Sequence, residues 1–103
     1  MSRSTNIGPA FARAQRLKVA RVLDAAYRVL LEDCGPHAVL RCGNRPVATG
    51  FADDRGNTYR ISLSQCGVLY AFKNSQTIAR SLPLALGRLP AADPKFKPPR
   101  WLV

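Results

Sequence analysis

Acidic residues are scarce in this chain: six Asp and Glu stand against 16 Lys and Arg, leaving a formal net charge of +10 on 103 residues. Histidine is scarcer still, with His37 alone, and the three cysteines are an odd number at irregular spacing. A secreted disulfide framework uses an even, regularly spaced set, so these cysteines point to a reducing compartment. Long apolar runs are missing as well. No stretch approaches the ~20 residues needed to cross a bilayer, and no apolar signal region follows the Arg3 of the opening segment. The expectation is a cytoplasmic protein with no membrane partner. The usual catalytic signatures are also lacking: no G-x-S-x-G, no H-E-x-x-H and no P-loop. His37 is the only obvious general base, and the chain reads as non-catalytic and without a cofactor.

The cations that are present are not evenly spread. From Met1 to Leu31 six basic side chains face Asp24 alone, and from Lys73 to Val103 six more face Asp93 alone. Between them Arg41, Arg45, Arg55 and Arg60 are balanced by Glu32, Asp33, Asp53 and Asp54. A neutral body with two cationic ends calls for a polyanionic or acidic partner. The excess of Arg and Ala over Lys and Ile suggests a GC-rich bacterial or phage coding sequence.

One domain is all this length allows. With 47% hydrophobic residues the chain fills a single core, as a domain of this size hides somewhat over ~60% of the surface exposed by its unfolded chain. A flexible basic N-terminus over 1–8, an α+β domain over 9–89 and a tail over 90–103 are the expected divisions.

The first element is a long N-terminal amphipathic helix, expected over about residues 9–33. Gly8-Pro9 opens it, and Cys34-Gly35-Pro36 closes it with Gly just past the end and Pro behind. Val19, Val22, Leu23, Ala26 and Leu30 recur at helical spacing to make one apolar stripe, with Phe11 and Val29 at its margin and Arg13, Arg21, Asp24, Arg28 and Glu32 opposite. At ~1.5 Å per residue such a helix is almost 40 Å long, more than a compact body of this size needs.

The middle reads as an antiparallel meander of three to four strands packed on that helix. Ala38 to Cys42 and Val47 to Ala52 flank the hairpin signal Gly43-Asn44, with Pro46 confining the second run to an edge or a strand start. After the turn Asp53-Asp54-Arg55-Gly56-Asn57, the residues Tyr59, Ile61 and Leu63 alternate with polar neighbours, giving a strand with one wet face. Gln65-Cys66-Gly67 returns the chain into Val68 to Phe72. Beyond the sheet, Asn74 or Ser75 is expected to cap a short second helix carrying Ile78 and Leu82 and ended by Pro83. An extended, basic, proline-rich C-terminal tail follows, with Pro90, Pro94, Pro98 and Pro99.

The order helix, sheet, helix loosely resembles a double-stranded RNA-binding domain, and Ser75-Gln76-Thr77-Ile78-Ala79-Arg80 resembles the start of that family's second helix. That family places a Lys pair after the Ser to grip phosphates. Gln76 and Thr77 stand at those positions here, so the family's activity is not carried over.

Two sets of residues are candidates for partner contact. The tail interleaves Phe96 and Trp101 with Lys95, Lys97 and Arg100, offering rings for bases and cations for phosphates. The competing reading folds Phe96 and Trp101 back onto the body, where buried aromatics contribute heavily to a small core and Trp101 fluorescence is blue-shifted. The second set is the basic helix face, Arg13, Arg16, Arg21 and Arg28, with Arg60 from the sheet, against the alternative of a solvated face. Cys34, His37, Cys42 and Cys66 number the four ligands of a structural zinc site, although the last lies far along the chain and free buried cysteines are common. Asp53-Asp54 is better explained by turn chemistry than by a hard cation.

These features converge on a small non-catalytic basic protein that binds nucleic acid or a nucleoprotein complex. The alternative is a phage or mobile-element protein that binds and inhibits a host defence or nucleic-acid-processing complex, with its cations on an acidic protein surface.

Overall fold

A computed structural model of the chain describes residues 19–36, 46–85 and 87–102. Helix α1 (Val19–Cys34) buries Val22, Leu23, Ala26, Tyr27, Val29 and Leu30; the apolar stripe of its sequence is buried from Val22 to Leu30 and widened by Tyr27 and Val29, with Val19 partly buried. It ends as its residues dictate. Gly35 adopts φ 89°, a left-handed conformation costly for other residues, and its N–H donates to the Leu31 carbonyl at 3.0 Å. Pro36 then prevents continuation. The expected helical start near Pro9 lies outside the described residues, as do Phe11, Arg13 and Arg16.

Four antiparallel strands follow in the order β1-β2-β3-β4: β1 (Val47–Ala52), β2 (Thr58–Leu63), β3 (Leu69–Lys73) and β4 (Gln76–Arg80). The expected pairing of Ala38 to Cys42 with β1 lies outside the described residues. Val47 faces Leu63 and Phe51 faces Tyr59 across the first hairpin, while Tyr59 faces Lys73 and Leu63 faces Leu69 across the second. This register puts Tyr59, Ile61, Leu63, Leu69 and Ala71 on one side, where all are buried with the helix stripe. The period-two alternation of β2 is fully expressed, and the architecture is α+β with one helix on one sheet face.

The short second helix expected after Asn74 is not formed; that segment is β4. Asn74 and Ser75 take φ values of 50° and 69°, the left-handed pair required by a two-residue hairpin turn. Asn74 also ties this turn to β2, since its Oδ1 accepts from the Thr58 N–H at 2.9 Å and its Nδ2 donates to Asn57 Oδ1 at 3.1 Å. A residue that caps helices is equally suited to a left-handed turn, and here the turn wins. The strand was hidden by a bulge: the register slips between Ala71 and Phe72, so that Ala71 faces Ala79 while Phe72 faces Thr77. Ile78 is the extra residue, and Ile78 and Ala79 are both buried, which erases the alternation that marks a strand. The resemblance to the second helix of a double-stranded RNA-binding domain falls with this correction.

The chain after β4 continues alongside it. Ser81 bridges Ala92, the Leu82 N–H donates to the Ala91 carbonyl at 2.9 Å and the Asp93 N–H to the Arg80 carbonyl at 3.0 Å. Ser81 is buried with its hydroxyl satisfied, accepting from the Leu69 N–H at 2.9 Å and donating to the Leu82 carbonyl. Asp93 anchors the tail: its Oδ2 receives Arg80 Nε and Nη2, both at 3.0 Å, and its Oδ1 accepts from the Lys95 N–H at 2.9 Å. A 3₁₀ turn (Arg100–Leu102) then places Leu102, 1% exposed, in the core.

Candidate nucleic-acid interface

The face of the sheet turned away from α1 is built by the same alternation that builds the core. Ala48, Gly50 and Ala52 of β1, Thr58, Arg60 and Ser62 of β2, Tyr70 and Phe72 of β3, and Thr77 and Arg80 of β4 occupy it. Among the described residues no helix or strand covers this face. Its large side chains form a row that alternates charge and aromatic surface. The Arg60 guanidinium sits 5.6 Å from the Phe72 ring centroid, and Phe72 stacks on Tyr70 at 6.1 Å and 17°. Tyr70 faces Arg80 across the strand pair, and Arg80 in turn lies 5.4 Å from the ring of Phe96. Five residues from three strands and the tail thereby make one continuous cation and aromatic surface.

Beside the row the sheet steps down. The small residues of β1 leave an open concavity of about 520 Å³ lined by Ala48, Thr49, Gly50, Thr58, Tyr59, Arg60, Phe72 and Ser75. Gly50 belongs there for a steric reason, because a Cβ at this position would meet the Tyr59 carbonyl oxygen at 3.1 Å. The lining holds one cation, Arg60, and no carboxylate.

The residues singled out in the sequence do not form a single site. Arg21 and Arg28 are exposed on α1 opposite its buried stripe, with Arg28 3.9 Å from Asp24. Arg60 lies on the far side of the sheet, so these helix cations and Arg60 face in opposite directions. Lys95, Lys97 and Arg100 are exposed along the tail. Phe96 is half-buried against Arg80. Trp101 corrects the docking expectation: it is 51% exposed, with Lys73 Nζ 5.1 Å from its ring, and the buried anchor is its neighbour Leu102. Sequence reading missed Tyr70, Phe72, Arg80 and Gly50. The alternation of Tyr70 and Phe72 was a usable signal, since in a strand two aromatics at i and i+2 share one face.

The zinc set cannot be assembled from the described residues, because His37 and Cys42 lie outside them; no group of three metal-ligating side chains occurs among those described. Cys66 is exposed, whereas Cys34 is half-buried at the end of α1 with its Sγ 3.8 Å from the Ala48 carbonyl. Burial pushes the Cys34 thiol above its ordinary pKa, and the charge of Asp33 acts in the same direction. Such a thiol is a poor nucleophile at neutral pH. The turn role of Asp53 is plain: its Oδ1 accepts from the N–H groups of Arg55 and Asn57, both at 2.9 Å, and its Oδ2 receives Asn57 Nδ2 at 2.9 Å. Those bonds, the Asn57 side chain foremost, hold its carboxyl below the usual range. No helix among the described residues is long and apolar enough to cross a membrane. No family model, curated protein or solved structure matches this chain.

Proposed function

We propose that this protein binds nucleic acid without catalysing a reaction on it, and that the sheet face opposite α1 is the binding surface. The observation that carries this reading is the row Arg60, Phe72, Tyr70, Arg80 and Phe96, which sets cations beside aromatic rings on one continuous face. Phosphates need the cations, and bases need apolar planar surface. The net charge of +10 adds long-range attraction for a polyanion.

The test is the salt dependence of binding to labelled oligonucleotides, single-stranded and duplex. With about five phosphates engaged, log affinity falls against log salt with a slope of about −3.5 to −4.5. No binding at low salt, or a salt-independent affinity, overturns this reading. Either result would favour the acidic surface of a host protein, to be sought as a saturable complex of defined stoichiometry with nucleic acid absent.

A further inference from the structure

The cation and aromatic row explains attraction to nucleic acid in general, but the step beside it is more selective. We propose that the concavity between β1 and Phe72 receives an unpaired base of a single-stranded nucleic acid, so that the protein discriminates single strands from duplex. The inference rests on the nucleic-acid reading above and narrows its substrate class.

Three features of the concavity argue for this occupant. Its floor is made of Ala48 and Gly50, and its side is formed by Phe72 of β3, two strands away, with Arg60 between them. Low residues next to a tall ring leave a ledge whose apolar surface suits a flat, apolar-faced group. Its volume of about 520 Å³ falls within the roughly 300–1,000 Å³ of small-ligand clefts, ample for one base with its sugar. The polar side chains on the lining are the hydroxyls of Thr58 and Ser75 and the guanidinium of Arg60; Thr49 contributes backbone, its hydroxyl being turned to α1, where it donates to Asp33 Oδ2 at 2.8 Å. Hydroxyls can donate to or accept from a base edge, and the guanidinium answers a phosphate. No carboxylate opposes that phosphate.

The rest of the face explains why the occupant is a strand rather than a free nucleotide. The row leads away from the ledge across Tyr70 to Phe96 and to Arg80, which is paired with Asp93, and the exposed Lys95 and Lys97 of the tail flank Phe96, so the backbone leaving a base on the ledge meets further rings and cations. A duplex cannot use the ledge, because its bases are stacked and paired. In a single strand they are free to turn onto protein surface.

Titrations of the full chain with dT15, U15, a 15-bp duplex and a thymidine mononucleotide test the proposal. Wild type is expected to bind the two single strands at least tenfold tighter than the duplex and to bind the mononucleotide weakly. Phe72→Leu keeps an apolar side chain while removing the ring, and is expected to weaken single-strand binding about 5- to 100-fold, the usual worth of one stacked base. Duplex affinity, which comes from phosphate contacts, should fall by a smaller factor than single-strand affinity. A direct reporter is the double variant Phe72→Trp with Trp101→Phe, whose indole emission should be quenched by dT15 and not by the duplex. Equal affinity of wild type for single strand and duplex, an equal effect of Phe72→Leu on both, or unquenched emission in a variant that still binds dT15 overturns the ledge and leaves the nucleic-acid reading standing. Absence of binding to every oligonucleotide overturns both. A mononucleotide that binds as tightly as dT15 overturns the strand.

Discussion

Two adjacent residues, Trp101 and Leu102, divide two tasks that the sequence alone assigns to one of them. Trp101 has the larger apolar surface, yet it is half-exposed beside Lys73, while Leu102 is buried among residues of α1 and the sheet. A 3₁₀ turn at Arg100–Leu102 decides which of the two points inward, and no hydropathy ranking predicts that. Removing a buried leucine side chain costs about 2–5 kcal/mol. At the lower figure, Leu102→Ala should lower the melting temperature by about 8–15 °C for a domain of this size. Trp101→Ala removes an exposed cation–π contact worth about 0.5–1 kcal/mol and should shift melting by only a few degrees. Trp101 is the one tryptophan in the chain, so its emission reads the environment directly: native protein should emit like a largely hydrated indole. Equal destabilisation by the two substitutions, or a blue-shifted native emission, would show that the indole is the anchor.

At the scale of elements, what was legible followed from regular patterns, and what was missed followed from interruptions of them. The stripe of α1, its Gly35 end and the alternation of β2 are periodic signals with one physical reading each, and the structure has all three. The β3-β4 hairpin offered two readings. Asn74-Ser75 fits both a helix cap and a left-handed turn, and Ile78 with Leu82 at i and i+4 mimics a helical stripe although the bulge at Ile78 is what buries it. The candidate surface was hidden along with the hairpin, because without β4 there was no sheet face on which Arg80 and Tyr70 could be neighbours. The turn is strained where its residues are not the preferred ones. Ser75 holds φ 69°, a region glycine enters at little cost and serine does not. Ser75→Gly is expected to stabilise the protein by about 0.5–1 kcal/mol, a rise of about 2–8 °C in melting temperature. Had this segment been helical, glycine near its first turn would have been neutral or destabilising, so a fall in melting temperature would argue against the hairpin.

For the whole molecule, the central question is how a small body carries so much positive charge without losing its fold. The tail separates the two demands. Its attachment to β4 uses the Ala91 and Asp93 backbone, the Arg80 to Asp93 ion pair and Leu102, whereas Lys95, Lys97 and Arg100 are exposed and pair with no carboxylate among the described residues. Repulsion among these exposed cations is screened by solvent and salt, so they cost the fold little, while remaining available to a polyanion that follows the β4 edge. Substituting all three by glutamine should therefore leave the melting temperature within a few degrees of wild type, surface changes of this kind being worth about 0.5 kcal/mol or less each. Binding should change far more. Each phosphate that no longer meets a cation reduces the steepness of the salt dependence by about 0.7 on a single strand and about 0.9 on a duplex, so the triple variant should flatten the slope by about 2 to 3 and bind correspondingly weakly at low salt. An unchanged slope in a folded triple variant would confine the phosphate-binding role to Arg60 and the cations outside the tail, and the tail would then serve only to close the edge of the sheet.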